Sequence, residues 1–395
     1  IIMRKKLLSI VAVWLVALSA SGQDIYLPVL QQIEQNSTTL NALKEQLEAQ
    51  KIGNKTGLTP ANPEVEFGYL WGSPAVNGNR KDVSLQQTFD FPTAYVHRGK
   101  LSDLQNNSAA CQYASERMDL MLSAKKVCIE LVYYNALRQI YARQLGNAAK
   151  IASAQEKMNK TGETNRLEYN KAMINYANME NEVRRIDIER QRLQAELTAL
   201  NGGQPIPFDV SEYQSSVLPE NFDTWFAEAE AGMPALQYLR SEIEVSKRKI
   251  QLSRADALPK LSLGYMGEFV PGQDFQGVTF GISIPLWENK NRIKQAKAEA
   301  RASESMAEDA KVKYYNHLNN LFSQVKQLQV SVRGYADALK NNANDELLNK
   351  AYSLGEISLM DYLLEMEYYY IAYDKLLQTE RDLELALAEL TAFRL

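Results

Sequence analysis

Four short segments of the chain alternate apolar and polar residues at every second position. The long segments between them repeat apolar residues at steps of three and four. The alternating segments come in pairs, NPEVEFGYLW (62 to 71) with DVSLQQTFDFP (82 to 92), and LPKLSLGYMGEF (258 to 269) with GVTFGISIPLW (277 to 287). The second member of each pair is the more regular: Val83, Leu85, Gln87, Phe89 and Phe91 in one, Val278, Phe280, Ile282 and Ile284 in the other. A period of two places such residues on one face of a strand whose other face is polar. Each pair therefore predicts a β-hairpin.

After each hairpin runs a proline-free stretch, about 93 to 159 and about 287 to 353. In the second, Leu318, Leu321, Val325, Leu328, Val332, Tyr335 and Leu339 form the three-four seam of a coiled coil, and Leu131, Tyr134, Leu137, Tyr141, Leu145 and Ala148 do so in the first. A helix of that length spans roughly 100 Å at 1.5 Å per residue, so the expected molecule is long and thin. Gly162 and Gly355 sit where a left-handed residue ends a helix, and each precedes a return helix, to about 201 and to about 395. A shorter helical segment comes before each hairpin, roughly 27 to 52 and 223 to 256.

This order is performed twice because the chain is a tandem duplication. AELTA occurs at 195 to 199 and again at 388 to 392. The same shift of 193 places Gly162, Glu163, Tyr169, Met173 and Tyr176 on Gly355, Glu356, Tyr362, Met366 and Tyr369. Roughly a quarter of the positions from 157 to 200 match their partners, the mark of an internal repeat. The expected organisation is a leader over 1–22, a first repeat over 23–200, a linker rich in Gly, Pro and Ser over 201–222, and a second repeat over 223–395.

Composition narrows the class. The 395 residues are 45% hydrophobic and carry a formal net charge of -4, with no basic block beyond the N-terminus, which argues against a nucleic-acid partner. At the N-terminus, Met3, Arg4, Lys5 and Lys6 precede LLSIVAVWLVAL and SASG, a secretory signal peptide cut near Gly22 or Gln23. The other reading of this run is an uncleaved membrane anchor, for which the apolar core is short. No Cys stands at the cleavage position to carry a lipid. Cys111 and Cys128, if on one helix, lie about 25 Å apart and are expected unpaired. With only His97 and His317, scattered methionines and no G-x-S-x-G, H-E-x-x-H or phosphate-binding loop, no metal, cofactor or enzymatic role is expected.

Phe67, Tyr69, Trp71, Tyr265, Phe269 and Trp287 are expected near strand ends, where they would form the aromatic girdle of a membrane β-structure. The alternative is a soluble sheet packed on helices. Four strands cannot close a membrane barrel, whose smallest members have about eight, and an open edge is not tolerated in lipid. Membrane insertion would therefore require several chains to share one barrel, and the long helices would then line up as a hollow bundle.

Signal peptide, short helix, hairpin, long helix, glycine turn and return helix, performed twice, resemble the TolC family of bacterial outer-membrane channel proteins. The resemblance covers essentially the whole mature chain and is closest in LPKLSLGY, GVTFGISIPLW and AYSLGEISLMDYLLEMEYYYIAYDKLLQTERDLELALAELTAF. It implies a mainly α fold with a small β contribution: a homotrimer with a twelve-stranded barrel in the outer membrane and a long α-helical tunnel through the periplasm. The implied role is the exit duct of a tripartite efflux system, working with an inner-membrane transporter and a periplasmic adaptor. NPEVEFGY is similar to the NPE-containing first strand of the CzcC-like and CusC-like branch, which serves heavy-metal cation pumps, while drugs and proteins stay open as the other cargoes of the family.

The resemblance also implies roles at the tips. Gly162, Glu163, Gly355 and Glu356 would face the adaptor. Tyr352 matches a tyrosine that latches the closed entrance, Glu168 its acidic partner, and Asp361 an acidic ring facing the pore. Ile357 stands where the family has a latching arginine, and Leu364 where it has a second pore aspartate, with Glu365 next to it. On physical grounds alone, Asp361 and Glu168 also read as solvated charges in the first turn of a return helix. Two other classes share some of these features. A periplasmic adaptor would usually show one helical hairpin rather than two, and a coiled-coil scaffold leaves the alternating strands without a role.

Overall fold

The computed structural model describes residues 24–74, 78–214, 221–341 and 345–395. The expected signal peptide lies outside them, as does 215–220 of the linker. In chain order the elements are α1 (Leu27–Asn36), α2 (Thr38–Gly53), β1 (Glu64–Leu70), β2 (Arg80–Phe89), α3 (Pro92–Thr161) and α4 (Arg166–Leu200). The second half supplies α5 (Phe222–Gly232), α6 (Pro234–Ala255), β3 (Lys260–Val270), β4 (Gln273–Ser283), α7 (Arg292–Asn341), α8 (Asp345–Ser353) and α9 (Leu359–Leu390). The repeat offset reappears in these boundaries: β2 and β4 start at Arg80 and Gln273, α4 and α9 at Arg166 and Leu359, each pair 193 apart.

Helix α3 is 70 residues long, about 105 Å. Pro92 opens it, where a missing N–H costs nothing, and Gly162 closes it at φ 78°. Helices α4, α6, α9 and α2 pack along it, and α7 packs on α6 and α9. The expected seam is buried at mid-height, where Leu131, Leu137, Leu318 and Val325 are enclosed, and opens toward the tip, where Tyr335 is exposed. Cys111 and Cys128 both lie on α3 as free thiols.

Several boundaries differ from those expected. Each short leading segment is two helices. Ser37 breaks the first in an extended conformation, its hydroxyl accepting from Leu40 N. Met233 breaks the second because the proline after it disfavours helical backbone. The second long helix begins at Arg292 rather than 287, after a turn in which Asn291 adopts φ 68°, a conformation Asn tolerates. Residues 342–344, inside that expected helix, lie outside the described ones. Strand β4 starts earlier than expected and stops at Ser283, two residues short of Pro285, which lacks the N–H to continue a ladder.

The main core forms where the middle of α3 meets α1, the linker and the end of α9. Val29, Leu30, Ile33, Met121, Val127, Ile129, Val132, Leu197, Phe208 and Ala388 belong to it. Tyr213 secures the linker by donating to Ile129 O at 2.9 Å, and Asn135 by donating to Phe208 O and Val210 O. A second core packs Trp225 and Phe226 of α5 on Leu318, Phe322 and Val325 of α7 and on Leu387 and Leu390 of α9.

Candidate functional site

The four strands form one antiparallel sheet in the order β1-β2-β3-β4, so the central β2–β3 pairing joins the two repeats. Register fixes its faces. Phe67 pairs with Val83, Leu85 with Tyr265, and Tyr265 with Val278. One face thus carries Val65, Phe67, Tyr69, Val83, Leu85, Phe89, Leu261, Leu263, Tyr265, Phe269, Val278, Phe280 and Ile282, with Gln87 among them and Lys81, Asp274 and Gln276 toward the turn end. The other carries Glu64, Glu66, Ser84, Gln86, Thr88, Ser262, Thr279 and Ser283 with Gly68, Gly264, Gly277 and Gly281, its apolar members being Leu70, Met266, Val270 and Phe275.

The apolar face is uncovered. Val278 is 84% exposed and Phe280 73%, values that rule out packing beneath a helix. This removes the soluble-sheet alternative for the chain taken singly, since a sheet buried on its apolar side would hide these residues. Among the described residues no helix is long and apolar enough to cross a membrane, which says nothing of a β-structure. On the polar side, a Cβ added to Gly264 would lie 2.7 Å from both Leu85 O and Thr279 Oγ1. Such crowding leaves no room for a side chain there and explains the glycine.

Of the expected aromatics, Tyr69 and Phe269 lie at the turn end of the sheet with Trp71 just beyond β1, and Trp287 follows β4 at the opposite end. Phe67 and Tyr265 are not near the ends: they sit within their strands, because the register brings the middle of β1 and β3 opposite Val83 and Leu85. Tyr69 accepts from Asn79 Nδ2 at 2.7 Å and meets Trp71 edge to face.

Where sheet becomes helix, Arg98 of α3 reaches Asp90 at 2.7 Å and Asp256 at 3.0 Å. Asp90 follows β2 and Asp256 follows α6, so one guanidinium holds the stems of both hairpins. Residue spacing gave no sign of this.

At the far end, the two tips are alike in chemistry. Gly162 and Gly355 have φ 78° and 73°, and Gly162, Glu163, Gly355 and Glu356 are all exposed. Asn165 caps α4 by accepting from Glu168 N, and Ser358 caps α9 by accepting from Asp361 N, 193 residues apart like the rest of the repeat. Asp361 completes a capping box by accepting from Ser358 N at 3.3 Å, and its carboxylate also accepts from the Ser358 hydroxyl at 2.6 Å. Glu168 sits at the corresponding position of α4, with Lys171 at 3.2 Å. Glu365 is exposed on α9.

Tyr352 does not pair with Glu168 within the chain. Its hydroxyl instead accepts from Gln155 Nε2 of α3 at 3.1 Å, and its ring stacks on Tyr362 with centroids 5.1 Å apart. Tyr362 in turn donates to Asn349 at 2.9 Å. Ile357 is half-buried and packs on the tip core of Ile151, Ala172, Leu359, Tyr362 and Met366. Gln155, Asn349 and Tyr362 were missed. The signal for Gln155 was available, since it continues the buried stripe Ala148, Ile151, Ala152 as its polar member.

Above the tip, α3, α4 and α9 enclose a groove of about 720 Å³, lined among others by Tyr141, Gln144, Ile174, Met179, Leu363 and Tyr370. Among the described residues no group of three or more His, Cys, Asp or Glu is arranged to hold a metal ion.

No protein-family model matches the chain and no curated protein matches it by sequence. Solved structures do match. OprN, an outer-membrane channel, superposes with a TM-score of 0.76 over 93% of this chain and 89% of its own, at 17% identity. The chain has an outer-membrane channel fold. The CmeC outer membrane channel of Campylobacter jejuni gives a TM-score of 0.75 over 93% of this chain and 85% of its own, at 14% identity. The MtrE outer membrane channel of Neisseria gonorrhoeae, solved in its open state, gives 0.71 over 93% and 88%, at 15% identity. In this channel fold, a sheet with one uncovered apolar face caps one end of the long helices and the glycine turns form the other.

Proposed function

We propose that this chain is one third of a trimeric exit duct in the outer membrane of a bacterium, conducting cargo passively from an inner-membrane transporter and a periplasmic adaptor to the outside. The observation that carries the reading is the sheet. It is apolar on one face and polar on the other, that apolar face is uncovered, and β1 and β4 leave both edges unpaired within the chain. Lipid covers such a face, and only closure onto further copies satisfies such edges. Three copies supply twelve strands, and the helices continue the barrel as a tunnel through the periplasm. The passive role follows from the architecture, which offers a conduit rather than a catalytic pocket.

The exposed tips and the groove between α3, α4 and α9 are the surfaces offered to the adaptor. Tyr352, held by Gln155 and Tyr362, is the latch of the periplasmic entrance, and Asp361 and Glu168, repeated three times about one axis, form its acidic ring. Tyr69, Trp71, Phe269 and Trp287 anchor the sheet at the two membrane interfaces. The one cargo-related signal is NPEVEFGY, which favours heavy-metal cations and rests on a short match.

The test is the purified protein in detergent and in planar bilayers. A particle of three chains that inserts and conducts is the expected result. A folded monomer that never conducts would overturn the reading in favour of an adaptor or a scaffold.

A further inference from the structure

The polar face of the sheet is unevenly neutralised. Toward the turn end, Asp82 and Glu268 face each other across β2 and β3, and Arg80 bridges them at 2.8 and 3.1 Å. The next two rows inward are different. Glu66 lies beside Ser84, Met266 and Gly277, and Glu64 beside Gln86, Gly264 and Thr279. Neither row contains a base, both carboxylates are exposed, and none of the ion pairs among the described residues involves either of them. Glycines share these rows, so no bulky side chain stands before the carboxylates on β3 or β4 except Met266.

Resting on the exit-duct reading, we infer that Glu64 and Glu66 set the charge preference of the barrel, making its interior a cation-favouring filter separate from the entrance. With the apolar face toward lipid, Glu64 and Glu66 on the opposite face point inward, so closure of three chains turns each row into a ring of three carboxylates around the water-filled axis. A fixed negative ring between low-dielectric walls concentrates cations and excludes anions. At about 8 Å through water, one carboxylate changes the local concentration of a monovalent ion by roughly two- to threefold.

Distance makes this filter independent. Asp361 and Glu168 lie at the tip, beyond the length of α3, on the order of 100 Å away, against a Debye length of about 8 Å at physiological ionic strength. The two rings cannot sense one another, so each acts separately on the same ion flux, in series.

The test is the reversal potential of single channels under a KCl gradient, comparing wild type, Glu64→Gln/Glu66→Gln, Glu64→Lys/Glu66→Lys and Asp361→Ala, each first shown to be a folded oligomer. The Gln pair is expected to lower the potassium-to-chloride permeability ratio by roughly threefold or more, the Lys pair to drive it further toward anions, and the fall caused by the Gln pair to persist in channels that also carry Asp361→Ala. Conducting channels with unchanged selectivity in both pairs would overturn the inference and leave the duct standing. A folded oligomer that never inserts would overturn both.

Discussion

The side-chain amide of Gln155 donates to the hydroxyl of Tyr352 at 3.1 Å, so the long helix α3 of the first repeat holds α8 of the second. Gln155 is 7% exposed and its Oε1 has no partner. The contact is thus a single hydrogen bond from a poorly satisfied amide, set beside a tyrosine stack. A bond of this kind contributes about 1 kcal/mol. Gln155→Leu removes it while filling the same space, and should leave the melting temperature nearly unchanged. Single-channel recordings should show more frequent opening, as with Tyr352→Phe. Unaltered gating in both variants would remove Tyr352 from the latch.

Thr279 and Phe280 are adjacent in β4 and point to opposite faces. A lysine on the lipid side of a barrel costs about 2–4 kcal/mol near the bilayer midplane, whereas the lumen side tolerates charge. Phe280→Lys should therefore abolish or greatly reduce insertion, and Thr279→Lys should insert and shift conductance. Equal insertion of the two, measured by urea-resistant membrane association, would contradict the assignment of faces.

Glu384 is buried on α9 in the main core, and burial raises its carboxyl to about 7 from an ordinary 4.5, with Lys125 opposing the rise and Asp24 and Glu380 adding to it. The folded chain then holds a proton that the unfolded chain releases between about pH 4.5 and 7. Stability contributed by this group falls as pH rises through that window and is flat above it. The full effect is on the order of 3 kcal/mol. Unfolding midpoints measured from pH 5 to 8 should decline in the wild type and vary less in Glu384→Gln. Parallel curves would show that Glu384 is ionised throughout.

Arg98 is about three-quarters buried between two aspartates that are equally enclosed. Removing it leaves Asp256 without a counter-charge and Asp90 with Lys260 alone, at 4.0 Å, an arrangement that typically costs several kcal/mol when buried and less with partial exposure. Arg98→Ala should lower stability by about 1–3 kcal/mol, and Arg98→Lys should restore part of it. Protease sensitivity at the hairpin stems is the direct readout.

The architecture was legible because it is periodic. Val278, Phe280 and Ile282 declared a two-faced strand, and Gly162 with Gly355 declared the turns, since few residues adopt a left-handed conformation freely. The breaks at Ser37 and Met233 were local events inside otherwise helical composition, although Pro234 was a visible warning. The tip was harder to read. Gln155 and Tyr352 are separated by 197 residues, and only the folded chain brings them together. The same holds for Arg98 and Asp256, whose partnership depends on hairpin stems meeting in space.

The pairing of β2 with β3 has a consequence for symmetry. Within one chain it joins two homologous hairpins edge to edge, and in a closed trimer β4 would meet β1 of the next copy through the same kind of antiparallel contact. A walk around the ring would cross six near-equivalent seams, three inside a polypeptide and three between polypeptides. Since only the seams inside a chain carry a covalent connection, mutations at the β1 and β4 edges should be felt as oligomer dissociation, and the same chemistry placed at the β2–β3 seam as local fraying.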